Sequence, residues 1–138
     1  MKPVLVGSGF LVAVYKRRDA YHSLCMSVYE DLNRPLVSCE AVVTEALHLL
    51  RNTPGAGIAL LSSIEQGLLA LPLSLSRSAG KVLNVLEKYQ DVPADFADAC
   101  LVVLAGELDC GDILTVDSDF LRYRWLRDRR FNLLIPLD

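Results

Sequence analysis

Short apolar runs alternate with longer amphipathic stretches along the chain. Pro3-Val4-Leu5-Val6 is apolar at every position and rich in β-branched residues, as in a strand covered on both faces. Gly7-Ser8-Gly9 ends it, and Phe10 to Tyr15 starts a helix. Asp19 to Asn33 predicts a second helix, with Leu24, Val28 and Leu32 four residues apart. Pro35 breaks it, and Leu36-Val37-Ser38 is a second short strand. Glu40 to Arg51 predicts a strong helix with Val43, Leu47 and Leu50 on one face. Pro54 to Gly57 is a loop, Ile58 to Gln66 a short helix, and Gly67 to Leu73 a third strand. Ser74 heads a helix to about Gln90. After the turn at Asp91 to Ala94, Ala94 to Leu108 predicts a helix apolar nearly all round. Ile113 to Val116 is a fourth strand, Asp119 to Arg129 a polar helix, and Phe131 to Ile135 the last strand.

Strands separated by helices of this length imply parallel crossovers and a sheet covered on both sides, an α/β fold. The 138 residues fit one domain, and 52% hydrophobic residues suffice for a sizeable core. A net charge of −3 excludes a whole-protein basic footprint for nucleic acid and leaves only local patches. The apolar run from Val4 to Tyr15 is too short to span a membrane. Lys16-Arg17-Arg18 follows it, which is the wrong flank for a secretory signal. The cysteines, Cys25, Cys39, Cys100 and Cys110, include no C-x-x-C pair and fit no zinc spacing. They read as reduced thiols of a cytoplasmic protein, with Cys39 and Cys100 as small buried hydrophobes. There is no internal repeat.

In an open parallel sheet, sites lie outside the carboxyl ends of the strands. Ser8 stands there after strand one. Glu45 follows strand two, alone in the apolar Val43-Thr44-Glu45-Ala46-Leu47. Asp95 and Asp98 lie three apart where the long helix starts, and Asp117 and Asp119 follow strand four. Carboxylates crowded together repel and are costly to bury, so something must offset them. A hard divalent cation with oxygen ligands is the natural candidate. Such ions suit phosphodiester hydrolysis, where they activate water and stabilise charge on the phosphate and the leaving oxygen. Each acid also has a plainer explanation. Asp95 and Asp98 can start a helix, Glu45 can face Arg51 or His48 in solvent, and Asp117 and Asp119 can form a turn and cap.

These segments resemble the PIN-domain family, especially the VapC-type ribonuclease toxins of type II toxin–antitoxin pairs. Val-Leu-Val-Gly-Ser-Gly-Phe-Leu-Val-Ala, Thr-Glu-Ala-Leu, Ala-Asp-Phe-Ala-Asp-Ala and Leu-Thr-Val-Asp-Ser-Asp-Phe occur in the family's order across essentially the whole chain. The resemblance implies a three-layer α/β/α domain over residues 1–138 with a central parallel sheet. It implies RNA cleavage with Mg²⁺ or Mn²⁺ held by Glu45, Asp98 and Asp117, with Asp95 and Asp119 assisting. Ser8 matches the small hydroxyl residue that follows the family's first acid. It also implies an antitoxin partner and a homodimer. Gly7 is the departure: the family has an aspartate there, its central metal ligand. The chain as written is therefore expected to be inactive or weakened as an enzyme. The alternative is a catalytically dead module that keeps the fold and binds a protein partner or RNA.

Two further signals bear on partners. Arg122 to Arg130 carries five arginines against one aspartate, with Tyr123 and Trp125 interleaved. Arg122 and Arg124 could contact RNA phosphates and Trp125 could stack on a base; the plain alternative is a solvated helix with Trp125 turned inward. The helices from Asp19 to Arg51 carry more apolar residues than one face needs, which suits a partner groove. A nucleotide-binding turn at Gly7-Ser8-Gly9 is excluded, since Val12 stands where the third glycine belongs.

Overall fold

The structure is a computed structural model that describes residues 1–137. The apolar runs pair as the sequence implies. Strand β1 (Val4–Val6) is wholly buried and pairs in parallel with β2 (Leu36–Val37) on one side and β4 (Asp112–Leu114) on the other. β3 (Leu69–Ala70) extends the sheet beyond β2, and β7 (Asn132–Leu133) extends it beyond β4. The order is β3-β2-β1-β4-β7, with every pairing parallel. Helices α1 (Ser8–Tyr15), α2 (His22–Asp31), α3 (Glu40–Leu49), α4 (Ala56–Glu65), α5 (Leu75–Lys88) and α6 (Phe96–Leu108) flank it, giving the α/β/α architecture. α1 packs on α2, α3 and α4, while α6 packs on α3 and α5. One core links both faces of the sheet.

Helix α6 is apolar nearly all round because it is buried nearly all round, from Ala97 through Ala105 with only Asp98 breaking the run. α5 is the opposite case: only Ser78 and Val82 are buried, so its polar face is solvated. Chain order reverses between β1 and β4, so their carboxyl ends form the switch point where a crevice opens. The Gly7 N–H donates to the Leu114 carbonyl at 3.0 Å, which fixes that corner.

The expected polar helix over Asp119 to Arg129 does not form. The chain makes one turn of 3₁₀ helix (Ser118–Leu121) and then an antiparallel hairpin, β5 (Arg124–Trp125) with β6 (Arg129–Arg130). The physical reason is a period of two: Tyr123 and Trp125 are both buried with the half-buried Arg124 between them, an alternation that suits a strand. Leu126 takes a left-handed conformation, φ 52°, to turn the hairpin. Trp125 then packs its indole nitrogen against Gly111, where a Cβ would come 2.1 Å from its Nε1. Gly111→Ala is expected to cost about 2 kcal/mol through overpacking. Thermal unfolding and the emission of the single tryptophan would report it; an unchanged Tm would mean the ring is not seated there.

Candidate active site

Three segments, α3, the start of α6 and the turn after β4, deliver acids to the switch point. Asp95 is the N-cap of α6, its Oδ1 accepting from the Asp98 N–H at 2.8 Å. That bond sets the first turn of α6 and so the place of Asp98. Asp117 follows β4 and caps the 3₁₀ turn, its Oδ1 accepting from the Asp119 N–H at 2.9 Å. The Thr115 hydroxyl in turn accepts from the Asp117 N–H at 3.0 Å. Asp98, Asp117 and Asp119 each thereby offer a carboxylate oxygen, all within 4.8 Å of one another. Asp98 is partly buried, whereas Asp117 and Asp119 are exposed.

Glu45 lies outside that trio but close enough for its charge to act on Asp98. The Ser8 hydroxyl donates to Glu45 Oε1 and ties the start of α1 to α3. Ser8 therefore orients an acid. Asp95 is outside the trio as well, with one oxygen spent on its cap.

The electrostatics show how crowded the corner is. Burial pushes the Asp98 carboxyl up to about 7, and the charges of Asp95 and Asp117 push the same way, with Glu45 adding to them. Only the Tyr123 hydroxyl opposes this, donating to Asp98 Oδ2 at 3.2 Å. Among the described residues, none of these acids forms a salt bridge. An all-oxygen, anionic set with no cation of its own fits a hard divalent ion.

Gly7 sits at this corner, buried between β1 and β4. Its backbone is extended, φ −91° and ψ 166°, a conformation open to any residue. A Cβ there would meet its nearest neighbour, Thr115 Oγ1, at 3.5 Å, an ordinary contact. Nothing in the fold demands glycine at this position.

Tyr123 is the site residue the sequence did not reveal. Its ring is wedged edge-on against Tyr89 and Phe120, which aims the hydroxyl at Asp98. The alternation with Trp125 could have marked it as inward-facing, but its target lies 25 residues away. Tyr123→Phe keeps the ring and removes the donor. The Asp98 pKa should then rise further, as read by NMR titration of its carboxyl carbon; an unmoved or lowered pKa would show the bond is not made.

The basic segment differs from expectation. Trp125 is buried, and its Nε1 donates to the Arg130 carbonyl at 3.0 Å, so its ring offers no face to a base. It is a core residue, because the hairpin turns it onto Gly111. Arg124 donates through Nη1 to the carbonyls of Leu121, Arg122 and Tyr123, which commits it to the backbone. Arg122 lies over the Tyr123 ring at 4.7 Å, with Nη1 on the Val92 carbonyl at 3.2 Å. Its Nη2 is buried without a partner.

An acidic cluster at the switch point of a parallel α/β/α sheet defines the class: a domain built to gather carboxylates at one crevice. No protein-family model and no curated relative matches the sequence. Solved structures do match the fold. The crystal structure of VapC20 from Mycobacterium tuberculosis, a sarcin-ricin loop cleaving toxin, superposes with a TM-score of 0.77 at 16% identity. The match covers 84% of this chain and 91% of that one. The chain thus has a PIN-like fold.

Proposed function

We propose that the protein is built as an endoribonuclease toxin of a type II toxin–antitoxin pair, hydrolysing RNA phosphodiesters with Mg²⁺ or Mn²⁺. The observation that carries this is the convergence of Asp98, Asp117 and Asp119 at the switch point of this fold, without a compensating cation. These three would hold the ion, with Glu45 completing the set from α3 and Asp95 adding charge. When bound, such an ion activates water and neutralises charge on the phosphate and leaving oxygen. Asp98 would give up its proton to serve as a ligand, so its raised pKa would make ion binding depend on pH. Tyr123 and Ser8 hold Asp98 and Glu45 in place through their hydroxyls.

Gly7 supplies no oxygen, so the chain as it stands is weakened or inactive. The same glycine favours a second reading, a PIN-fold module that binds RNA or a protein without cutting. The test is RNA cleavage in Mg²⁺ or Mn²⁺ by the Gly7→Asp variant, with the Gly7→Asp, Asp98→Asn double variant as control.

Arg122 is the remaining candidate from the basic segment for an RNA phosphate. Arg122→Ala should weaken RNA binding and lower the slope of log K against log salt by about one. An unchanged slope would remove Arg122 from the RNA path.

An antitoxin segment is proposed to dock in the apolar cleft of about 220 Å³ lined by Leu11, Val14, Tyr15, Tyr29 and Leu36 among others. Exposed Leu83 and Phe96 offer apolar surface to a second copy in the proposed homodimer. Among the described residues no helix is long and apolar enough to cross a membrane. A cytoplasmic, single-domain toxin is the setting that agrees with these features.

A further inference from the structure

A protein of net charge −3 with an acid corner at one end repels phosphate, so any affinity for RNA has to come from a local basic patch. The segment after Phe120 supplies little of it, since Trp125 is buried and Arg124 is committed to backbone carbonyls. Arg34, Lys81 and Arg129 are paired with acids. Lys16, Arg17 and Arg18 are different. They lie in the turn just past α1, all three exposed, and among the described residues none of them forms a salt bridge. Asp19, the next residue, is tied to its own turn, its Oδ1 accepting from the Tyr21 N–H at 2.9 Å. The three cations line one cleft of about 500 Å³ with Asn52, Thr53 and Pro54, and its lining includes no acid. The loop that forms the far wall leads into α4, whose N-terminus has neither an acid in its first turn nor a side-chain cap. The α4 dipole therefore adds to the positive potential.

The helices place this cleft. α1 starts at Ser8 and α3 at Glu40, both at the carboxyl end of the sheet, where the Ser8–Glu45 bond joins them. The two pack together, and the cleft lies past the far end of both. With 8 and 10 residues at about 1.5 Å each, they set it roughly 12 to 15 Å from the end where the acids gather. That is a span of several stacked nucleotides. We propose that the cleft is a second phosphate site, which grips the RNA backbone several nucleotides away from the acid corner. The inference rests on the proposed function in so far as RNA is the substrate. Arg17 and Arg18 present forked donors to phosphate oxygens, Lys16 a mobile point charge, and Asn52 and Thr53 neutral donors. Phosphate contacts carry no sequence information, so the cleft selects the length and path of the RNA. An oligonucleotide confined to the acid corner gains nothing from it.

The test is binding of a fluorescent RNA hairpin to the full chain in EDTA, followed by anisotropy across a salt series. The Lys16→Ala, Arg17→Ala, Arg18→Ala variant should bind about tenfold or more weakly at low salt, with a slope of log K against log salt smaller by about two to three. Its Tm should match the parent's, because the three side chains are exposed. Arg17→Lys, Arg18→Lys keeps the charge and should keep the parent's slope. On the Gly7→Asp background with Mn²⁺, the triple substitution should raise KM for the hairpin, leave kcat unchanged and leave cleavage of a dinucleotide unchanged. Unchanged affinity and slope would overturn the proposal, as would a parent that binds no RNA or an equal loss with the dinucleotide. A parent that holds polyglutamate more tightly than the hairpin would assign the cleft to an acidic protein and overturn it too. If Gly7→Asp cuts nothing while the triple variant still loses the hairpin, the ribonuclease reading falls and the cleft stands.

Discussion

Gly7→Asp is expected to raise Mn²⁺- or Mg²⁺-dependent RNA cleavage by on the order of a hundredfold or more, since a missing ligand costs at least as much as the 10–100-fold typical of outer-shell partners. The backbone at position 7 is extended and already suits an aspartate. The nearest atom to a new Cβ is Thr115 Oγ1 at 3.5 Å, so no repacking is needed. The new carboxylate enters a corner where burial, and then the negative charges of Asp95 and Asp117, already push Asp98 up. Without metal the variant should therefore gain no stability, although aspartate at the N-cap of α1 otherwise favours a helix. With Mn²⁺ its Tm should rise more than that of the parent, because the added ligand strengthens binding to the folded state. Adding Asp98→Asn should abolish both the cleavage and the Mn²⁺ response. If Gly7→Asp binds Mn²⁺ and cuts no RNA offered to it, the module reading gains and the search turns to the protein partner.

Removing the charge at position 98 should stabilise the metal-free protein at alkaline pH. The sign follows from the raised pKa. Asp98 holds its proton to about 7 in the folded chain, well above the ordinary carboxylate value. Between the two values the folded state binds more protons than the unfolded one, so stability falls as pH rises from about 4 to about 7. Below that window the carboxyl is neutral in both states and the contribution is fully present. Above it, the ionised group is held at a cost. Asp98→Asn keeps the shape without the charge. It should add about 2 kcal/mol at pH 8, a figure reduced for partial solvent exposure, and almost nothing at pH 4. Saturating Mn²⁺ should reverse the ranking at pH 8, since only the parent retains the ligand. Thermal unfolding at both pH values, with and without Mn²⁺, measures all of this. A parent that grows steadily more stable from pH 4 to 7 would show that Asp98 is not the acid under strain.

The apo stability cost and the proposed activity share one origin. A corner that gathers carboxylates without a balancing cation is destabilised, a common feature of functional sites.

The sequence by itself determined the alternation of strands and helices, the parallel sheet and the side on which its acids gather. Those follow from local periodicity: a fully apolar run such as Val4 to Val6 and a helix such as α6 carry their burial in their own residues. It also exposed the glycine at position 7 as the odd residue in an otherwise acidic set. Only the tertiary structure decided the segment from Asp119 to Arg130. There a helical composition competes with an inward alternation, and packing of Trp125 on Gly111 selects the hairpin. Only the tertiary structure sorted the acids as well, joining Asp98, Asp117 and Asp119, spending an oxygen of Asp95 on a cap and handing Glu45 to Ser8. Tyr123 belongs to the same class. Its partner Asp98 is distant along the chain, and no local pattern encodes which groups the crossovers will bring within reach.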